Sequence, residues 1–193
     1  MKKIAQLLTK YIVSKGIVAE AEAAVYVYGF QMGLELTVNL IVSIVIAIIL
    51  KMLPEATIFF VIFIPIRSYA GGFHFDDYLR CFLLSVATYV AVLLLSGYVA
   101  IPAWILALVN VILLVAIRLL FPVQNVRRIL GEEEIHYFAK KLHWILGIDM
   151  LFNFALWGWN FVSLLRVICL TLMLIVVTMV LGKVKYWWMS RKS

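Results

Sequence analysis

Apolar positions along the chain gather into long runs rather than the alternation of a surface strand. Leu36 to Leu50 holds only Asn39 as a strongly polar residue, Phe82 to Val99 carries no charge, and Val167 to Leu181 is again charge-free. A membrane helix needs roughly 20 mostly apolar residues to cross the hydrocarbon, and several runs reach or approach that length. The pattern predicts six spans, near 34–52, 54–70, 81–99, 102–121, 143–159 and 161–182. The second is the weakest, because only Ala56 to Ile66 is cleanly apolar and Pro65 sits inside it. A short, a kinked and a partly re-entrant segment all fit that stretch. Met1 to Lys15 alternates Lys with apolar residues and lacks an apolar core followed by a cleavage site. It predicts an amphipathic helix on the inner membrane surface rather than a cleavable signal. The fold class expected is all-α: a polytopic membrane helical bundle of about six spans plus an N-terminal amphipathic helix. One domain covers 1–193, with 1–33 at the cytoplasmic face, 34–182 as the bundle and 183–193 as a cytoplasmic tail.

Composition agrees with this and removes the soluble alternative. Of 193 residues, 66% are hydrophobic and only 14% charged, with mean hydropathy +1.08; a soluble domain carries about 25% charged residues. The net charge of +7 raises the question of a nucleic acid partner. Its distribution answers it. With six spans, 15 of the 17 basic residues fall on one side, leaving Lys51 and Arg166 for the other. Lys and Arg gather in cytoplasmic loops, so both termini are expected in the cytoplasm, orientation accounts for the charge, and no nucleic acid is called for. Trp157 and Trp159 at the outer turn, and Trp187 and Trp188 after the last span, suit the headgroup level. Cys81 and Cys169 lie in different segments, which offers neither a disulfide framework nor a metal-binding spacing.

The stretch with chemical content is Arg67-Ser-Tyr-Ala-Gly-Gly-Phe-His-Phe-Asp-Asp-Tyr-Leu-Arg-Cys81, in the loop between spans two and three. A cysteine works as a nucleophile in its thiolate form, and an imidazole beside it takes the proton. His74 and Cys81 are the one His and Cys pair close together in the sequence. On a straight helix their seven-residue spacing gives a rise of about 10.5 Å, too long for a nucleophile–base contact of about 3 Å. A direct dyad therefore requires a break. Gly71 and Gly72 supply one, since glycine accepts positive φ, and His74 is expected on that turn, folded back towards Cys81. A helix N-terminus at the start of span three would favour negative charge on the sulfur.

The pattern of Arg67, Gly71-Gly72, His74 and Cys81, with six spans in about 190 residues, resembles the accessory gene regulator B family. Those are bacterial membrane cysteine endopeptidases that process a quorum-sensing propeptide. A second stretch, Phe121-Pro-Val-Gln-Asn-Val-Arg-Arg-Ile-Leu-Gly-Glu-Glu-Glu134, is similar to the family's loop after span four. It departs from the usual pattern at Arg127, where Asn is common, and at Ile129, where Pro is common. The resemblance implies that Cys81 attacks the propeptide near its C-terminal segment with His74 as general base. The thioester so formed is captured by a Cys or Ser of the same peptide, giving a cyclic thiolactone or lactone. It also implies a homodimer in the bacterial cell membrane, no metal or other cofactor, and a propeptide that arrives through its own amphipathic helix on the membrane lipids.

The remaining polar residues have two readings each. Asp76 and Asp77 either orient His74 or are solvated loop charges. Arg67 either holds a substrate carboxylate or an acid, or anchors the helix end by snorkelling. Arg127, Arg128 and Glu133 belong to a solvated loop that is also placed to meet the charged part of a propeptide. Glu35 and Asp149 are costly in hydrocarbon and should face the bundle interior or its edge, either pairing with a basic residue or lining a peptide path. Cys169 should be inert core. The rival to a peptidase is a membrane transporter or exporter of a peptide or small molecule, for which broken helices or an internal repeat would be expected; the sequence shows neither.

Overall fold

The computed structural model describes residues 2–73, 78–98, 100–123 and 131–191. Seven helices account for most of them: α1 (Lys2–Ser14), α2 (Ala23–Leu50), α3 (Leu53–Ala70), α4 (Tyr78–Tyr98), α5 (Ala103–Leu120), α6 (Glu132–Gly158) and α7 (Val162–Ser190). A short 3-10 turn at Glu20–Glu22 leads into α2.

Helix α7 is the axis of the bundle and packs against α3, α4, α5 and α6. Its buried residues Leu165, Ile168, Leu172, Ile175, Met179 and Tyr186 recur at the three- and four-residue spacing that keeps side chains on one helix face. They meet Ile62 and Ile66 of α3, Leu106, Leu114 and Ile117 of α5, and Leu142 and Leu146 of α6 in one apolar cluster. A second cluster joins Ala47 of α2, Phe59 of α3, Tyr89 and Leu93 of α4, and Val167 of α7. Large apolar side chains also cover the outside: Leu83, Leu95, Ile112, Leu119, Ile148, Leu151 and Val177 are all exposed. In water such a surface would associate; in a bilayer lipid covers it.

Five helices, α2, α3, α4, α5 and α7, are long and apolar enough to cross a membrane. Helix α6 is the sixth that the sequence anticipates, and it falls short in composition because polar residues such as Lys141, His143, Asp149 and Asn153 lower its average hydropathy whichever way they face. Asp149 and Asn153 lie on the buried stripe Leu142, Leu146, Asp149, Asn153, Leu156, while Trp144, Ile148, Leu151 and Phe154 face outward. In that stretch Asp149 and Asn153 point inside while the large apolar side chains face outside. Asn110 of α5 donates through Nδ2 to Asn153 Oδ1 at 2.9 Å, and Asn153 Nδ2 donates to the Ala107 carbonyl at 3.2 Å. Such small polar bridges hold helices together where apolar burial does not discriminate helix from lipid.

Three expectations shift. The first spanning helix begins at Ala23, not near 34, so residues 23–33 belong to α2 rather than to a separate surface segment; a helix continues beyond the hydrocarbon because its hydrogen bonds are internal. For the same reason α7 runs on to Ser190, well into the expected tail. The second span is an unbroken 18-residue helix in spite of Pro65, long and apolar enough to cross a membrane. Helix α1 does form. It sets Ala5 and Thr9 against α2 and leaves Ile4, Leu7, Leu8 and Tyr11 exposed along one side, the stripe an interfacial helix inserts among headgroups.

Candidate active site

Successive helices of the bundle alternate in direction, and the chemistry-bearing residues collect at one end. There the C-terminus of α3, Cys81 of α4, the segment after α5 and the C-terminal part of α7 come together. Helix α3 stops at Ala70 because the chain turns sharply. Gly71 has φ +77° and Gly72 has φ +147°, conformations that L side chains rarely adopt. The first is also sterically closed: a Cβ on Gly71 would lie 2.6 Å from the Val123 carbonyl oxygen.

Arg67, in the last turn of α3, closes the turn from inside. Its Nη1 donates to the Gly71 carbonyl at 2.6 Å and its Nη2 to the Phe73 carbonyl at 3.0 Å. The guanidinium fork thus spans two carbonyls two residues apart, a geometry that a point-like ammonium does not match. Gly72 is buried directly beneath it, and a Cβ there would overlap Nη1. The sequence left Arg67 open between substrate holding and snorkelling; among the described residues its partners include the backbone of the turn itself.

Two further elements pin the same stretch. The Val123 N–H donates to the Ala70 carbonyl at 3.3 Å, and Val123 pairs with Gly71 in an isolated parallel bridge. The Phe73 N–H donates to the Thr178 carbonyl of α7 at 2.8 Å. Lys185 of α7 sits over the Phe73 ring, with Nζ 5.1 Å from the ring centre. The loop after α3, the segment after α5 and the last turns of α7 thereby form one packed unit.

Cys81 is the fourth residue of α4 and is half-buried, with its thiol unpaired in any disulfide. Cys81 and Tyr186 of α7 both lie within electrostatic reach of the Arg67 guanidinium. Cys169, by contrast, is buried in the apolar cluster of α7.

His74, Asp76 and Asp77 lie outside the described residues, as do Arg127 and Arg128. Helix α3 ends at Ala70, and α4 is described from Tyr78 onward. Glu133 is exposed in the first turn of α6, beside Glu132 and Glu134. The edge-on contact of Tyr69 with Phe138, 5.7 Å between ring centres, puts that acidic turn at the same end of the bundle as the glycine turn. Of the two acids, Asp149 takes an interior position and Glu35 a half-buried one at the edge, where it accepts a bond from Gln31 of its own helix at 2.8 Å. The sequence did not point to Phe73, Val123, Thr178, Gly182 or Lys185. Only Gly182 carried a signal, as a glycine in step with the buried face of α7.

The model of the accessory gene regulator B family matches residues 1–181 of the chain. No curated protein and no solved structure matches it.

Proposed function

Because the chain belongs to the accessory gene regulator B family, whose role lies in the processing and export of autoinducer peptides in quorum sensing, we propose that it is a membrane cysteine endopeptidase maturing a small signalling propeptide. The observation that carries this reading is the placement of Cys81 at the start of α4 within reach of Arg67, beside a glycine turn that leads directly into His74.

In this reading the end of the bundle that holds the glycine turn faces the cytoplasm. Arg67, Arg80, Arg118, Lys183, Lys185 and Arg191 lie towards that end, while Lys51 and Arg166 lie at the other, as the positive-inside rule requires. The propeptide lies along the inner leaflet, and the exposed stripe of α1 lies in the same plane.

The steps follow from the groups present. His74 takes the thiol proton as Cys81 Sγ attacks the carbonyl carbon at the cleavage position. Backbone N–H groups around Cys81 or in the glycine turn are the candidates to hold the oxyanion. The C–N bond then breaks, His74 returns the proton to the leaving amine, and the C-terminal fragment departs. The thioester left on Cys81 is attacked by a Cys or Ser side chain of the same peptide. That closes the thiolactone or lactone ring and restores the Cys81 thiol. A thioester exchanged for a thiolactone is nearly even in energy, so departure of the fragment draws the sequence forward. Arg67 is a positioning residue here: it fixes the turn before His74 and contributes positive charge near the sulfur. Arg127, Arg128 and Glu133 are assigned to the charged part of the propeptide, where opposite signs steer binding, and a homodimer is the assembly in which the site works.

Co-expression with propeptides encoded beside it, followed by peptide mass, tests the reading. Cleaved and cyclised peptide should appear with the wild-type chain and vanish with Cys81→Ala and with His74→Ala at equal expression. Processing that persists in Cys81→Ala rejects it.

A further inference from the structure

Gly182 lies one helical step beyond Met179 on the buried face of α7, and it continues the face that carries Tyr186. It lies beyond the region matched by the family model, which ends at residue 181. A Cβ at Gly182 would sit 2.9 Å from the Gly72 carbonyl carbon, 2.9 Å from the Phe73 nitrogen and 2.9 Å from Val123 Cγ1. Two of these neighbours are backbone atoms of the glycine turn, and neither swings away as a side-chain tip does. One turn earlier on the same helix, the Thr178 carbonyl accepts the Phe73 N–H at 2.8 Å. One turn later, Lys185 covers the Phe73 ring. Three successive contacts of α7 therefore bear on Gly72 and Phe73, the residues that lead into His74.

Other glycines show what is specific about this one. Gly97 and Gly147 are also helical, yet nothing lies within 4 Å of a Cβ built on either. Loss of a side chain there has no packing consequence. At Gly182 it lets the backbone of another segment rest on the helix, the use of small residues by which chains approach closely within membranes.

We infer that the inner end of α7, through Gly182 and Lys185, is a template that positions the chain entering His74 relative to Cys81. The inference rests on the reading that Cys81 is the nucleophile. Gly182 and Lys185 are positioning residues, acting on the site through Gly72 and Phe73. An added methyl at 182 must move Gly72 and Phe73 from 2.9 Å towards ordinary contact, which begins at 3.4 Å. That is a displacement of about half an ångström, and a misplacement of about 1 Å costs on the order of a hundredfold in rate. The turnover of Gly182→Ala should therefore fall about tenfold. Removing the cation from the Phe73 ring in Lys185→Met should lower it about two- to fivefold.

The test uses the full chain in lipid nanodiscs and the synthetic propeptide that the wild type processes. Turnover is normalised to the amount of Cys81 titrated by iodoacetamide in a Cys169→Ala background. A fall in kcat for Gly182→Ala with KM within twofold, and no change in Gly147→Ala, supports the inference, because a merely unstable protein would lose titratable sites rather than turnover per site. Should Gly182→Ala fail to fold, Lys185→Met decides: a lower kcat at unchanged KM supports the template, and a wild-type kcat overturns it. Wild-type kcat in Gly182→Ala overturns it equally. These results are separate from the fate of the peptidase reading, since processing that survives Cys81→Ala would remove the nucleophile itself and with it the site that α7 is inferred to shape.

Discussion

Replacing Arg67 by Lys keeps the positive charge and removes the fork. In the native arrangement two nitrogens of one planar group reach two carbonyls, Gly71 at 2.6 Å and Phe73 at 3.0 Å. An ammonium at the end of a flexible chain reaches one of them at a time. One hydrogen bond to a charged group is therefore lost, worth about 1.5–3 kcal/mol. Taken alone, that loss would lower the population of the docked turn by roughly ten- to 150-fold. The bonds from Phe73 N–H to the Thr178 carbonyl and from Val123 N–H to the Ala70 carbonyl remain, and they hold the turn from two other sides. The lower end applies, about a tenfold fall in processing. The assay is propeptide cleavage per iodoacetamide-titrated Cys81, with Arg67→Ala alongside. Arg67→Ala loses fork and charge together and should fall further. If Arg67→Lys processes within twofold of wild type while Arg67→Ala is inactive, charge alone matters and the two-carbonyl clamp is not what positions the turn.

Other substitutions probe the same end of the bundle and its frame. Gly72→Ala must displace the Arg67 guanidinium and adopt φ near +147°, so processing should fall below that of Arg67→Lys, measured in the same assay. Asn153→Ala removes the partner of Asn110 within the bundle. It should lower thermal stability in nanodiscs by about 0.6–1.7 kcal/mol without changing KM, and a double substitution with Asn110→Ala should be non-additive. Asp149→Asn keeps shape and burial and removes the ionisable group, so stability should be equal or higher; a large loss would reveal a charge partner for Asp149. Cys169→Ala should leave processing unchanged, as Cys169 lies in the apolar cluster around α7.

The parts legible in the sequence are those that depend on lipid as solvent. A run such as Phe82 to Val99 has no other stable home than hydrocarbon, so the all-helical bundle follows from counting apolar residues. Helix ends are less legible. Hydropathy marks where lipid stops, whereas helix α2 continues through Tyr26 and Tyr28, and α7 through Trp187 and Trp188, because their backbone bonds do not depend on lipid. Asp149 and Asn153 weaken the signal of α6, since hydropathy averages over a helix and discards which side each residue faces. Gly71 and Gly72 were recognisable as a turn, because few residues tolerate positive φ and two glycines in succession before a polar stretch advertise it.

What the sequence determined by itself is the class of environment, the number of helices and the short stretch where His74 and Cys81 are neighbours. Those properties are local in the chain, and local composition encodes them. What only the tertiary structure decided is how that stretch is held. Arg67 grips carbonyls four and six residues ahead, Val123 arrives from the far end of α5, and Thr178, Gly182 and Lys185 approach from a helix more than a hundred positions away. No periodicity records such meetings, because they depend on which helix faces are turned together when the bundle packs.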